Sequence, residues 1–166
     1  MALQATVRTV LLRELRAFRR SVEAYPDDAS LWAHPPGLPN PGGTLVLHVA
    51  GNLQHYVGRL LGGTSYVRDR DAEFARRDVP RAELLAGLDA AAAAVDAALA
   101  GRPDAPLPER FPEVVGGVAL ATPDMLVHLA VHLAYHLGQL DYHRRMVTGN
   151  GRGVDAVSIR ELAAAE

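Results

Sequence analysis

The sequence predicts an all-α fold, a four-helix bundle with long Pro/Gly-rich connections. Nearly half of the 166 residues are hydrophobic (49%), but only 5% are aromatic, and 28 Ala and 23 Leu carry most of the apolar content. This composition favours helices over sheets. Four segments repeat apolar residues at steps of three and four, and no segment alternates as a strand does. At this length we expect one bundle domain, residues 1–166, with its site inside a single core.

The first helix is predicted over residues 5–24, and a long connection follows it. Apolar residues recur there at helical steps, at Val7, Val10, Leu11, Leu15 and Phe18. Five Pro and three Gly then lie between residues 26 and 43. Because proline disrupts both helix and sheet, this stretch is predicted to be an irregular connection with Trp32 as its anchor.

The second helix is predicted to begin at a Thr44 cap and to run for about 17 residues to the Gly62–Gly63 pair. Gly51 and Gly58 lie about two turns apart within it. A residue without a Cβ lets a neighbour approach closely. The pair therefore predicts a close helix crossing.

The third helix follows a charged connection, residues 64–79, and is predicted to begin after a proline and to stop at Gly101. A second Pro/Gly-rich crossing then precedes the fourth helix. Its start is predicted at a Thr122 cap, because a proline and an acid occupy the next two positions, and its pattern holds to about Val147. Residues 158–166 are compatible with a short fifth helix.

Charge and composition exclude several classes of function. All 17 basic side chains are arginine, and they are scattered over a chain of net charge -2, which gives no electrostatic footprint for nucleic acid. Lysine and cysteine are absent, which excludes Schiff bases, thiolate nucleophiles, disulfides and sulfur metal ligands. The amino-terminal segment lacks a long apolar stretch, so no signal peptide or membrane span is predicted and a cytoplasmic location is expected.

The arrangement of the histidines is the strongest chemical signal. His128, His132 and His136 follow one another at steps of four in the fourth helix, so each is turned about 40° from the last and the three share one face. A leucine follows each of them, which places this face beside the apolar stripe. Two imidazoles at this spacing can bind one cation, and the spacing allows either His132 with His136 or His128 with His132.

His48 lies among apolar residues near the start of the second helix. A facing helix that adds one imidazole to such a pair makes a three-nitrogen centre, which is how helical bundles build metal sites. A three-histidine centre keeps a position open for water, a thiol or a carbonyl. His55 follows on nearly the same face and is expected at the rim or in the core. His34 and His143 are expected to face solvent or to bond locally.

These features resemble the DinB/YfiT-like superfamily of metal-dependent helical bundle proteins over nearly the full chain. The segment YHLGQL, residues 135–140, resembles the fourth-helix signature of the family, a His four residues after another His and followed by Gly and Gln. This match places the paired ligands on His132 and His136. LVLHVAGN resembles the second-helix signature and places the third ligand on His48. The connector GGTSYVRDRDAEF, with its Glu-Phe after the Gly pair, resembles a subgroup of the family.

The resemblance implies a left-handed bundle of up-down-down-up order, a divalent cation such as zinc or nickel, and a homodimer. Relatives include thiol-dependent transferases that use mycothiol, bacillithiol or glutathione, and a maleylpyruvate isomerase. Gly138 is then expected to admit a neighbouring helix next to His136. Gln139 is expected either to steady a ligand imidazole or to serve a helix contact.

Three hypotheses from different classes follow from these residues. The first is a metal-dependent enzyme, a thiol transferase or a hydrolase-like catalyst, that acts on a small molecule, with the three histidines as ligands. No catalytic residue is assigned, although His128 and His55 are better placed as general bases than Asp141. The alternative is a bundle that binds a metal or ligand without turnover. The third is a purely structural dimer with the histidines as polar core residues, in which replacing His132 by Ala would lower the melting temperature equally with and without chelator.

Overall fold

A computed structural model describes residues 3–100 and 106–163, and it confirms the all-α prediction. Four long helices form the bundle, and these are α1 (Leu3–Glu23), α3 (Gly42–Leu53), α5 (Arg81–Leu99) and α6 (Thr122–Thr148). A π-helical turn, Gln54–Arg59, continues α3. Three short helices lie between or after them, α2 (Asp28–Trp32), α4 (Arg70–Ala75) and α7 (Arg160–Ala163). The described residues include two isolated β-bridges but no strand.

Contacts along α1 fix the directions of its two neighbours. Gln4 near the start of α1 bonds the carbonyl of the last residue of α5 (3.3 Å), and Arg19 near the end of α1 pairs with Asp89 in the first half of α5 (2.7 Å). These two helices are therefore antiparallel. Oη of Tyr25, just after α1, lies 3.3 Å from the carbonyl oxygen of Leu140 in the last third of α6, so α1 and α6 run parallel.

The other two long helices run the opposite way. Gly42 at the start of α3 lies against Leu140, whereas His48 reaches back to His132, so α3 is antiparallel to α6. Because α5 is antiparallel to α1, the order is up, down, down, up, as the family resemblance implies. This arrangement brings α3 and α6 side by side, with His48 facing the histidine-bearing part of α6.

The connection predicted over residues 26–43 contains a helix, α2, so the expectation of an irregular stretch was wrong there. Asp27 caps this helix, because its Oδ1 accepts a hydrogen bond from the Ser30 N–H (2.7 Å). The anchoring role of Trp32 is confirmed, since its indole N–H donates to the Val79 carbonyl (3.0 Å). The short helix therefore ties the connection to the loop before α5.

The prediction that Thr44 caps this helix was also wrong, because α3 begins at Gly42, two residues before Thr44. Pro41 occupies the cap position, and Thr44 is completely buried inside the first turn. The two glycines make this early start possible. A Cβ on Gly43 would collide with the ring of Trp32, so only glycine lets the helix begin beneath the indole.

Other boundaries depart from the sequence pattern in smaller ways. Thr122 is the first residue of α6 rather than its cap, and Ala121 holds the cap position. The charged connection over residues 64–79 contains α4, which the many charges did not indicate. The helix α5 ends at Leu99, and the predicted stop at Gly101 lies outside the described residues. The expected fifth helix is present as α7.

The leucines that follow the α6 histidines lie in the core. Leu129, Leu133 and Leu137 are each at most 2% exposed, as their place beside the apolar stripe predicted.

Gly58 confirms a close helix crossing, because a Cβ there would stand 2.9 Å from the Cβ of Ala94 on α5. Among the described helices, none is long and apolar enough to cross a membrane.

Candidate metal centre

Three histidines from two helices converge between α3 and α6. Nε2 of His132 lies 3.3 Å from Nε2 of His48 and 3.2 Å from Nε2 of His136. One ring nitrogen from each residue lies within 4.8 Å of the other two. The structure thus brings together the three residues that the family resemblance selected. His48 is buried, whereas His132 and His136 are partly exposed, so the cluster lies at the edge of the core.

A carboxylate holds the His48 imidazole from behind. Nδ1 of His48 donates to Oε2 of Glu73 on α4 (3.0 Å), which leaves Nε2 as the free ring nitrogen that faces the cluster. Arg68 binds both oxygens of Glu73, at 2.7 and 2.9 Å. Ligand imidazoles in metal proteins are oriented in this way by hydrogen-bonded carboxylates.

His136 is oriented in the same sense by an amide. Its Nδ1 donates to Oε1 of Gln139, one turn later on α6, at 2.7 Å. Of the two roles expected for Gln139, the structure shows the contact that steadies the imidazole. The expectation for Gly138 was wrong, because no described atom lies within 4 Å of a Cβ built there, and the residue faces outward from the bundle.

The surroundings keep the imidazoles of His132 and His136 neutral and the carboxylate of Glu73 charged. Burial, followed by the neighbouring imidazoles of His136 and His48, lowers the pKa of His132 to about 4. Burial also lowers the pKa of His136. For Glu73, burial favours a higher pKa, but hydrogen bonds from Arg68 and His48 outweigh it and lower the pKa below its ordinary value. Near pH 7 the two α6 imidazoles therefore present unprotonated nitrogen, the form that binds a cation.

Gly51 makes room for the carboxylate that holds His48. A Cβ on Gly51 would collide with Oε1 of Glu73 and would stand 3.3 Å from the hydroxyl of Tyr66. The predicted close approach at this glycine therefore involves a side chain of the short helix α4 rather than the crossing of a long helix. Glycine at this position lets α4 press Glu73 against α3.

The remaining histidines lie outside the cluster. The ring of His128 is 6.1 Å from that of His132, centroid to centroid, and His55 bonds Glu113 (3.0 Å). His34 is bonded locally, as expected. The expectation for His143 was wrong, because it is 2% exposed and bonds Tyr25 and Ala33, which are far away in the sequence.

Sequence reasoning missed the Arg68–Glu73 pair as part of the site. Both residues lie in the connector whose Glu-Phe was noted only as a family resemblance, and Glu73 is 25 residues from His48. No helical spacing links the two positions. The one available signal was an acid and an arginine in a charged segment directly after a histidine-bearing helix.

The cluster fits a divalent cation on geometric and chemical grounds. Two nitrogens at about 2.0–2.1 Å from a tetrahedral zinc ion stand about 3.3 Å apart. The two Nε2 separations around His132, 3.2 and 3.3 Å, match that value. Unprotonated imidazole nitrogens with hydrogen-bonded Nδ1 atoms are the donors that such ions take.

Comparison with known proteins adds a family to this geometry. A family model described as mycothiol-S-transferase matches residues 6–149, which include every long helix of the bundle except the first residues of α1. That family belongs to the DinB/YfiT-like metal-dependent superfamily. No curated protein and no solved structure gives a match to the chain.

Proposed function

Because the chain belongs to the mycothiol S-transferase family, we propose that it is a divalent-metal-dependent enzyme that transfers a carbon group onto the sulfur of mycothiol or a similar small thiol. The single observation that carries this proposal is the convergence of His48, His132 and His136. In the reaction a thiol R–SH and an electrophile R′–X give the thioether R–S–R′. A carbon–sulfur bond forms, the R′–X bond breaks, and X leaves with the thiol proton as HX.

Each residue of the cluster has a defined part in this proposal. His48, His132 and His136 would hold the ion, with zinc and nickel as the expected metals. When bound, such an ion lowers the pKa of a thiol or water that it binds. Glu73 fixes the tautomer and direction of His48 through Nδ1 (3.0 Å), and Gln139 does so for His136.

The part of the cluster that faces away from the core supports access by a substrate. His132 and His136 are partly exposed, whereas the Glu73 side chain behind His48 is only 6% exposed. A small thiol would therefore approach from the α6 side, and the buried ion pair of Glu73 and Arg68 would remain out of its way. His128 and His55 stay the candidates for a general base, and dimer formation stays a prediction of the family resemblance.

The test begins with metal analysis of protein purified without a histidine tag. We expect about one zinc or nickel ion per chain, loss of that ion from His132→Ala, and its retention by His34→Ala, a control at an exposed histidine. The metal-loaded protein is then assayed with mycothiol and a panel of uncharged electrophiles, with thioether formation followed by mass spectrometry.

Three outcomes separate the alternatives. Thioether formation that is lost on chelation and restored by zinc or nickel supports the proposal. An ion content near zero that neither metal restores contradicts it. Tight metal binding without turnover of any thiol and electrophile pair favours the alternative of a bundle that binds metal without catalysis.

A further inference from the structure

A cavity of about 210 Å³ lies close to the candidate metal centre, towards the carboxyl end of α6. One wall is the last part of α6, with Gln139, Tyr142 and Met146. The opposite wall is the Pro-rich connection before α3, with Leu38, and the first turn of α3, with Leu45. None of the three clustered histidines is among the described residues that line this cavity.

One residue links the cavity to the cluster. Gln139 lines the cavity, and its Oε1 also accepts the hydrogen bond from Nδ1 of His136 (2.7 Å). On α6, His132, His136, Gln139 and His143 follow at steps of four, three and four, so they lie along one face of the helix. The cavity therefore continues the same face that carries the two α6 imidazoles.

The lining indicates an uncharged occupant. The described residues around the cavity include no acid and no arginine. The imidazole of His143 is held in its neutral form, because Nε2 donates to the Ala33 carbonyl (2.8 Å) and Nδ1 accepts from the Tyr25 hydroxyl (2.6 Å). A charged ligand would lose its hydration there without gaining a counter-charge.

The volume sets the size of that occupant. An apolar cavity of roughly 150 Å³ can hold one benzene molecule. At about 210 Å³, this cavity has space for a single substituted aromatic ring, but it is small for a sugar-bearing thiol. Tyr142 is 74% exposed and Met146 58% exposed, so apolar side chains also stand at the mouth.

We propose that this cavity binds the electrophile of the transfer reaction, and that the electrophile is an uncharged, apolar molecule about the size of one aromatic ring. The inference rests on the proposed function, since it assigns the second substrate of that reaction. The thiol would occupy the cluster, and the reacting carbon of the electrophile would point along α6 towards His136. Gln139 adjoins both positions, because it lines the cavity and holds His136.

The binding test uses toluene, an unreactive analogue, with zinc-loaded protein. The chain has three methionines. Met146 lines the cavity, whereas Met125 is 1% exposed in the core near the start of α6. With methyl-labelled methionine, we expect toluene to shift the NMR signal of Met146 in a saturable way and to leave that of Met125 in place. Met146→Trp and Leu38→Trp fill the cavity from opposite walls, and both should abolish saturable toluene binding.

The kinetic test uses benzyl chloride as the electrophile. We expect Met146→Trp to raise its KM at least tenfold, with the KM for the thiol and the zinc content unchanged. Val127→Trp is the matched control, because Val127 is an exposed residue of α6 (45%) that does not line the cavity. The control should match the wild-type protein in both tests.

The outcomes separate this inference from the proposed function. Transferase activity with an unchanged KM for benzyl chloride in both filled variants, or with no toluene shift at Met146, overturns the inference and leaves the function standing. Saturable toluene binding that both variants abolish, in a protein that transfers no group, supports an apolar ligand site and contradicts the transferase. If Met146→Trp instead turns a dimer into a monomer without affecting toluene, a second copy covers the cavity mouth and the inference is wrong.

Discussion

Glu73 determines the orientation of His48, because its Oε2 accepts the Nδ1 hydrogen bond and leaves Nε2 directed at His132. The carboxylate keeps its charge through two bonds from Arg68, and the pair is almost completely buried. Removing one partner of a buried ion pair leaves the other charge uncompensated. The cost of changing this residue should therefore appear in both metal affinity and stability.

Glu73→Gln is predicted to weaken zinc binding by roughly 10–100-fold, the usual effect of changing a group that orients a ligand imidazole. The amide can still accept one hydrogen bond but no longer neutralises Arg68. Competition with a chromogenic chelator measures the affinity. Glu83→Gln is the control, because Glu83 forms an exposed ion pair with Arg76, and its variant should bind zinc like the wild-type protein. Equal affinity for Glu73→Gln would show that the carboxylate does not support the site.

His143 is predicted to make the apo protein less stable in acid. Burial lowers its pKa in the folded state below the unfolded value of about 6.5. The unfolded chain then binds more protons, so the contribution of His143 is complete above that unfolded value and is lost as pH falls through the folded pKa. Urea unfolding between pH 8 and pH 5, with chelator present, should give a steeper loss for wild-type protein than for His143→Gln. His132 and His136 also lower the unfolding free energy as the pH falls. Their contribution is the same in both proteins, so it cancels when the wild-type protein and the variant are compared.

Periodicity and a family signature predicted which two α6 histidines meet His48, although the expectation for Gly138 from the same signature was wrong. Steps of four placed His132 and His136 on one helix face, and the signature chose this pair over the one with His128. Periodicity carries no information on contacts between distant segments. Glu73 on α4 and the partners of His143 belong to segments that approach these histidines only in the folded chain, so neither contact could be derived from spacing.

At the level of elements, a glycine sets the distance between α3 and α4. Gly51→Ala is predicted to displace Glu73, because the new Cβ would collide with the carboxylate. We expect a loss of roughly 1–3 kcal/mol in unfolding free energy and weaker zinc binding, measured by urea denaturation and chelator competition.

Gly87→Ala is the matched control for this change. Its Cβ would meet only the Cβ of Ala50, at an ordinary 3.7 Å. Alanine also has the higher helix propensity, so this variant should bind zinc normally and gain up to about 1 kcal/mol. Similar losses of unfolding free energy in both variants would mean that the surface of α3 tolerates no added methyl group, on α3 itself or on the facing α5. The displacement of Glu73 would then not be the cause.

The long helices could be predicted because their apolar periodicity extends over several turns, whereas their ends depend on tertiary contacts. α3 begins at Gly42 since the ring of Trp32 lies over the glycine pair, and α2 forms because Asp27 can cap it. Neither the contact with Trp32 nor the Asp27 cap leaves a periodic pattern in the sequence. The π-helical turn Gln54–Arg59 has no sequence signal that we can identify, and nothing in the structure explains it.

In the whole molecule, the candidate metal ligands join two helices that are far apart in the chain. His48 on α3 and His132 on α6 are 84 residues apart, and their Nε2 atoms are 3.3 Å from each other. An ion bound between them would link the descending and ascending parts of the bundle. Because the unfolded chain does not hold these nitrogens together, the free energy of binding would add to the free energy of unfolding.

Zinc is therefore predicted to stabilise the fold, and by an amount set by its affinity. At a free concentration one hundred times the Kd, the gain is about 2.7 kcal/mol, which for a chain of this size raises the Tm by roughly 5–11 °C. Differential scanning fluorimetry with zinc and with chelator measures the shift. His132→Ala should show no shift with zinc, and His34→Ala should show the full one. If histidines were only packing residues, His132→Ala would lower the Tm by the same amount in both conditions, and zinc would not raise the Tm of the wild-type protein.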